Sequence, residues 1–161
     1  MLDLLRQKPY SEISVCEICK EAQISRQTFY SLFRSKENVI SYVLQENYCF
    51  TLQNDCLGES FSLEALSGAY ASYIESQKDF ISLLVANDLV DCMRESIRDM
   101  LLSCDDIPSD DRDPDRCFAA DFIASGLSSI AKNYVLYEDE MDKVYLQNTI
   151  CRLFGGSLFK N

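Results

Sequence analysis

The sequence predicts an all-α fold, with a short helical N-terminal unit carried on a larger helical body. Three observations lead there. Apolar residues recur at spacings of three and four through most of the chain, the period of one helix face. Only three Pro and five Gly occur in 161 residues, too few for a turn-rich β design. Ser residues stand just ahead of apolar-periodic runs at Ser14, Ser25 and Ser35, where helix N-caps belong.

The elements follow in order. "MLDLLRQ" reads as the last turns of a helix, with Leu2, Leu4 and Leu5 apolar, and Lys8-Pro9-Tyr10 breaks it. Ser14 caps a second helix whose apolar face is Val15, Ile18, Cys19 and Ala22. Glu17, three residues after Ser14, completes a capping-box pattern. After a short turn Ser25 caps a third helix, with Phe29, Leu32 and Phe33 facing inward. Ser35 caps a longer helix to about Asn54, with Ile40, Val43, Leu44 and Tyr48 inward. "SLEALSGAYASYIESQ" gives a helix with Leu63, Leu66, Tyr70, Tyr73 and Ile74 buried, and one or two more follow to about Ser103. "CDDIPSDDRDPD" (104–115), with two Pro and a run of Asp, reads as a solvated linker; it lacks the EF-hand spacing that calcium needs. A long helix then carries a stripe of Phe118, Phe122, Ile123, Gly126, Ile130 and Tyr134. The last helix runs from near Met141 to Phe154 and stops at Gly155-Gly156.

Composition removes several function classes. With 47% hydrophobic residues the chain can bury a core. No uncharged stretch exceeds ten residues, too short to span a bilayer. No cationic and then apolar leader opens the chain, so a cytoplasmic location is expected. There is no His, which excludes Ser-His-Asp and Cys-His catalysis and the H-E-x-x-H metal site. The eight Cys are scattered through helix-forming sequence, unlike a small disulfide scaffold. "CEIC" (Cys16 to Cys19) lacks the second pair or the His that zinc would need, and is read as packing. No metal, cofactor or enzymatic activity is expected.

The second and third helices, joined by a three-residue turn, describe a helix-turn-helix, whose second helix lies in the DNA major groove. Gln27, Tyr30, Ser31 and Arg34 repeat at i, i+3, i+4, i+7 on the face opposite Phe29. Gln27 has the chemistry to pair with adenine, and Arg34 to reach guanine or a phosphate. Thr28, Tyr30 and Ser31 offer hydroxyls, while Ser25, Arg26 and Lys36 stand where phosphates would pass.

"EISVCEICKEAQISRQTFYSLFRSKENVI" resembles the DNA-binding domain of the TetR-like transcriptional regulators. Thirteen positions fall in the family's register: Ser14, Val15, Ile18, Ala22, Ile24, Ser25, Thr28, Phe29, Tyr30, Phe33, Ser35, Lys36 and Glu37. The resemblance implies a helix-turn-helix DNA-binding domain over 1–45 and a ligand-binding and dimerisation domain over 46–161. It further implies a homodimer on double-stranded operator DNA, answering a small-molecule effector and acting as a repressor. By position, Ser14, Ser25, Thr28, Tyr30 and Lys36 become phosphate and positioning contacts, and Gln27 and Ser31 base readers. The candidates for an effector pocket are Tyr70, Tyr73, Phe80, Met93, Phe118 and Phe122, although residues of this kind more often form plain core. The dimer seam is expected at Phe122, Gly126, Ile130, Tyr134, Val144, Tyr145 and Cys151. The first helix is shorter than the family's, and Gln23 stands where the pattern has Gly. Residues 1–38 hold six Lys/Arg against five Asp/Glu, a net of +1, while the remainder carries −12. Phosphate attraction drives non-specific DNA affinity. A TetR-like protein that has lost operator binding and acts through protein partners therefore stands as the alternative.

Overall fold

The computed structural model describes residues 1–55, 62–103, 114–137 and 141–156, leaving aside the side chains of 47–55. The Tyr48 side chain and most of the expected linker at 104–115 lie outside the described residues. Within them the chain forms nine α-helices and no strand: α1 (Leu2–Gln7), α2 (Val15–Glu21), α3 (Arg26–Leu32), α4 (Lys36–Asp55), α5 (Leu63–Ser76), α6 (Lys78–Ala86), α7 (Val90–Ser103), α8 (Pro114–Leu136) and α9 (Lys143–Phe154). A 3₁₀ turn at Tyr10–Glu12 links α1 to α2.

The helices α1 to α3 form a head around buried Leu4, Leu5, Ile13, Ile18, Cys19 and Phe29. None of these short helices would be stable alone, so shared burial holds them. The apolar core continues through Ile40 and Leu44 of α4 into Tyr73, Ile74, Ile81, Leu84, Met93 and Ile97 of the body. The expected domain boundary at 45/46 falls inside α4, which runs unbroken across it. In the body α7 packs on α8, α5 on α9, and α4 on α7.

The side chains Ser14, Ser25, Ser62 and Asp142 each accept a hydrogen bond from the N–H three residues on, which fixes the starts of α2, α3, α5 and α9. Helix α8 starts at Pro114, inside the stretch expected as linker, because Pro is well suited to the first helical position. Two helix ends adopt the Schellman arrangement. After α2, Ile24 N–H donates to Cys19 O at 3.0 Å and Gln23 N–H to Lys20 O at 3.2 Å, with Gln23 at φ 55°. After α6, Leu89 N–H donates to Leu84 O at 2.8 Å and Asp88 sits at φ 56°. A side chain with a Cβ is strained in that left-handed region. Gln23→Gly is therefore expected to stabilise the head by about 1 kcal/mol, read as a raised denaturation midpoint with an unchanged m-value.

Several buried faces differ from the sequence expectation. Leu32 is 67% exposed rather than buried. It lies three residues after Phe29, about 60° short of a full turn, and α3 ends there. The backbone then turns extended at Phe33, and it is Phe33 that folds partly under the helix. Ala22 is exposed, and Leu63 lies at 37% on the rim of α5. The inward side of α5 is Ser67, Ala69, Tyr70, Ala71, Tyr73 and Ile74, a wide face because α4, α6 and α9 all pack against it. On α8 the buried side is Ala120, Ala124, Ser128, Ala131 and Tyr134, while Phe118 and Phe122 are each 73% exposed. Small residues let α7 and α8 approach closely, so the aromatic stripe turns outward. Gly126 makes room for the Phe154 ring of the same chain, which a Cβ would approach to 3.1 Å.

Candidate nucleic-acid interface

The head is built to present α3. Ser14 and Glu17 form the full capping box: Glu17 N–H donates to Ser14 Oγ at 3.3 Å, and Ser14 N–H to Glu17 Oε2 at 2.9 Å. Lys8 Nζ reaches Glu17 Oε1 at 2.5 Å and Glu12 O at 3.0 Å. The Lys8 ammonium, helped by Ser14, holds the Glu17 carboxyl down at about 2, so the cap stays ionised under all ordinary conditions. The Gln23 turn follows and sets the angle between α2 and α3. Ser25 Oγ then accepts from Thr28 N–H at 2.9 Å and pairs with Thr28 Oγ1 at 2.8 Å. Ser31 Oγ donates to Thr28 O at 2.7 Å.

One side chain anchors the recognition helix. Phe29 is 1% exposed and meets Tyr30 edge-on at 5.3 Å and Phe33 at 5.7 Å. With Phe29 fixed, Arg26, Gln27, Thr28, Ser31 and Arg34 all point to solvent, and Tyr30 is half exposed. No hydrogen bond or ion pair occupies Arg26, Gln27 or Arg34 among the described residues. The outer face of α3 thus carries the Arg26 guanidinium, an amide and three hydroxyls, with no acidic residue in the helix itself; Arg34, expected on the same helical face, lies instead past the helix end, after the extended Phe33. Ser14 and Ser25 are exposed as expected, but their hydroxyls are engaged in capping.

Lys36 is placed differently from the other expected contacts. It is half-buried, and its Nζ donates to Tyr10 O at 2.8 Å and Ile13 O at 3.0 Å. The ammonium also lies over the Tyr10 ring, 4.0 Å from the centroid. Its charge stitches the 10–13 segment to the start of α4 instead of facing outward. Tyr10, whose sequence context marks only a helix break, also donates its hydroxyl to Glu37 Oε1 at 2.6 Å. Burial, and then the Glu37 carboxylate, raise the Tyr10 phenol above its ordinary value, so it remains a donor.

The expected pocket residues divide into two groups. Tyr70, Tyr73, Phe80 and Met93 come together in the interior, Tyr70 and Tyr73 stacked at 6.1 Å and Tyr70 Oη donating to Leu127 O at 3.0 Å. Phe118 and Phe122 are on the outside of α8, so they do not line that interior. Of the expected seam, Phe122, Val144 and Tyr145 are exposed, Gly126, Ile130 and Cys151 half-buried, and Tyr134 buried. Among the described residues no helix is long and apolar enough to cross a membrane.

Residues 2–43 match the family model for "Bacterial regulatory proteins, tetR family". The chain is also similar to the HTH-type dhaKLM operon transcriptional activator DhaS of Lactococcus lactis subsp. lactis (strain IL1403). The two are 22% identical over 152 residues, which span 90% of this chain and 80% of the relative. No solved structure matches the chain significantly. Residues 2–43 thus form a head like that of the bacterial tetR-family regulators, and this match together with the relative supports a TetR-like transcriptional regulator.

Proposed function

We propose that the chain acts as a homodimer that reads operator DNA with α3 and answers a small effector held in the body. The observation that carries this reading is the division of the recognition segment: Phe29 buried on one side, and Gln27 and Ser31 exposed on the other, with the Gln27 amide and, just past the helix, the Arg34 guanidinium unengaged. Such a face matches the hydrogen-bonding edges of a major groove. Two of the head's exposed cations, Arg26 and Arg34, are the phosphate and guanine candidates, and Lys36 supports the head from behind. For the body, Tyr70, Tyr73, Phe80 and Met93 give an aromatic interior suited to an apolar or planar ligand. The exposed strip on α8 and α9 is the surface for the second copy. A head of this kind only brings the body to a promoter, so a reporter gene reads the sign of control. Expression falls for the repressor expected above, and rises for an activator such as the relative's name describes.

A second reading rests on two observations: the inward placement of Lys36 and the head's net charge of only +1. On that reading the head no longer grips DNA and the protein acts through protein partners. A salt titration on the DNA flanking its own gene separates the two. A DNA-reading head gives a steep fall of log affinity with log salt, about −0.9 for each phosphate neutralised. Gln27→Ala should cost about 1–3 kcal/mol and relax selectivity at one base pair. No binding at low salt supports the partner reading instead.

A further inference from the structure

Tyr10 is the most heavily engaged residue of the head. Its carbonyl accepts from Lys36, its ring lies under the same ammonium, and its hydroxyl donates to Glu37. Its N–H donates to Asn87 Oδ1 at 2.8 Å, across 77 residues of sequence. Among the described residues, this is the one hydrogen bond that joins the head before α4 to the helices from α5 onward. Asn87 is itself held. It is the C-cap of α6, its Nδ2 donates to Leu83 O at 2.9 Å, and the strained Asp88 follows directly. Both halves of the Asn87 amide are therefore in use, one closing its own helix and the other reaching the head.

The consequence is geometric. The 10–14 segment is fastened to the start of α4 by Lys36 and to the end of α6 by Asn87, and it leads directly into the Ser14 cap of α2. Helix α6 buries Phe80, Ile81 and Leu84 in the body, so Asn87 moves with that interior. We propose that Asn87 is a positioning residue for DNA recognition: by holding the Tyr10 N–H it fixes the head on the body and so sets the half-site spacing that a dimer reads. This rests on the DNA-reading proposal above. The simpler role for Asn87 is to cap α6 alone, and that role needs only the bond to Leu83.

Two variants separate these roles. Asn87→Ala removes both bonds, while Asn87→Asp keeps an acceptor for Tyr10 and loses the donor to Leu83. With operators of varied half-site spacing, Asn87→Ala should widen the tolerated spacing and weaken the preferred site about 3- to 10-fold, the worth of one hydrogen bond. Its salt slope should stay as in the wild type, since no phosphate contact is lost. Asn87→Asp should restore the narrow spacing. Amide hydrogen exchange without DNA should show faster exchange at 8–14 in Asn87→Ala and wild-type rates there in Asn87→Asp. Unchanged spacing and exchange in Asn87→Ala, or equal losses in both variants, would overturn the proposal. If the wild-type protein binds no DNA, the DNA reading fails by itself, and the exchange data still decide whether Asn87 fixes the head.

Discussion

Phe29→Ala is expected to unfold the head and abolish operator binding, at a cost of about 3–5 kcal/mol. The side chain is 1% exposed and sits between Tyr30 and Phe33, within a core made by Leu4, Leu5, Ile13, Ile18 and Cys19. That core is shared by helices of six and seven residues, which have no stability of their own. Few other contacts are available to close the cavity. Helix α3 would lose its anchor, and with it the orientation that puts Gln27 and Ser31 outward. Circular dichroism and hydrogen exchange check the result: protection of α1 to α3 should be lost while α5 to α9 stay helical. Leu32→Ala, on the same helix but 67% exposed, should change stability by no more than about 0.5 kcal/mol. Equal effects from the two substitutions would show that the head is not built around Phe29.

Helix starts were legible in the sequence because a capping side chain acts over three residues. Ser14 with Glu17, and Ser25 with Thr28, need no information from the rest of the fold. The left-handed Gln23 was legible through the resemblance, which puts Gly at that position, and Gly is the residue that takes this conformation without strain. The direction of the α8 faces was not. That helix has Phe118 and Phe122 on one side and Ala120, Ala124 and Ala131 on another. Periodicity shows a helix but cannot rank two apolar faces, and side-chain size favours the aromatic one. Close packing against α7 reverses that choice. Register likewise gave Lys36 its place in the motif but not the aim of its ammonium, which depends on carbonyls 23 and 26 residues away. The Tyr10–Asn87 bond spans 77 residues and leaves no local signal.

If the chain pairs as proposed, Phe122→Glu is expected to convert that dimer to monomers and to weaken operator binding by about 10²- to 10⁴-fold. Phe122 is 73% exposed and touches Phe154 edge-on at 6.5 Å, one turn from the equally exposed Phe118. Toward the other end of the same pair of helices lie Leu136, Tyr137, Val144 and Tyr145, each more than half exposed. Helix α8, at 23 residues, is about 34 Å long, enough to support an interface of the size that stable dimers use. In a two-fold pairing each residue meets the same patch on its partner, so one Glu per chain places two carboxylates in an apolar seam. Like charges held there cost several kcal/mol. The isolated chain should lose little, because this ring is not part of the core: the helical spectrum and the protection of α5 to α7 should match the wild type. Sedimentation then reads the mass, and DNA titration reads the loss of paired half-site binding, since a single head keeps its own contacts but not the effective concentration supplied by the second. A variant that still sediments as a dimer and binds as the wild type would remove the α8–α9 strip as the seam.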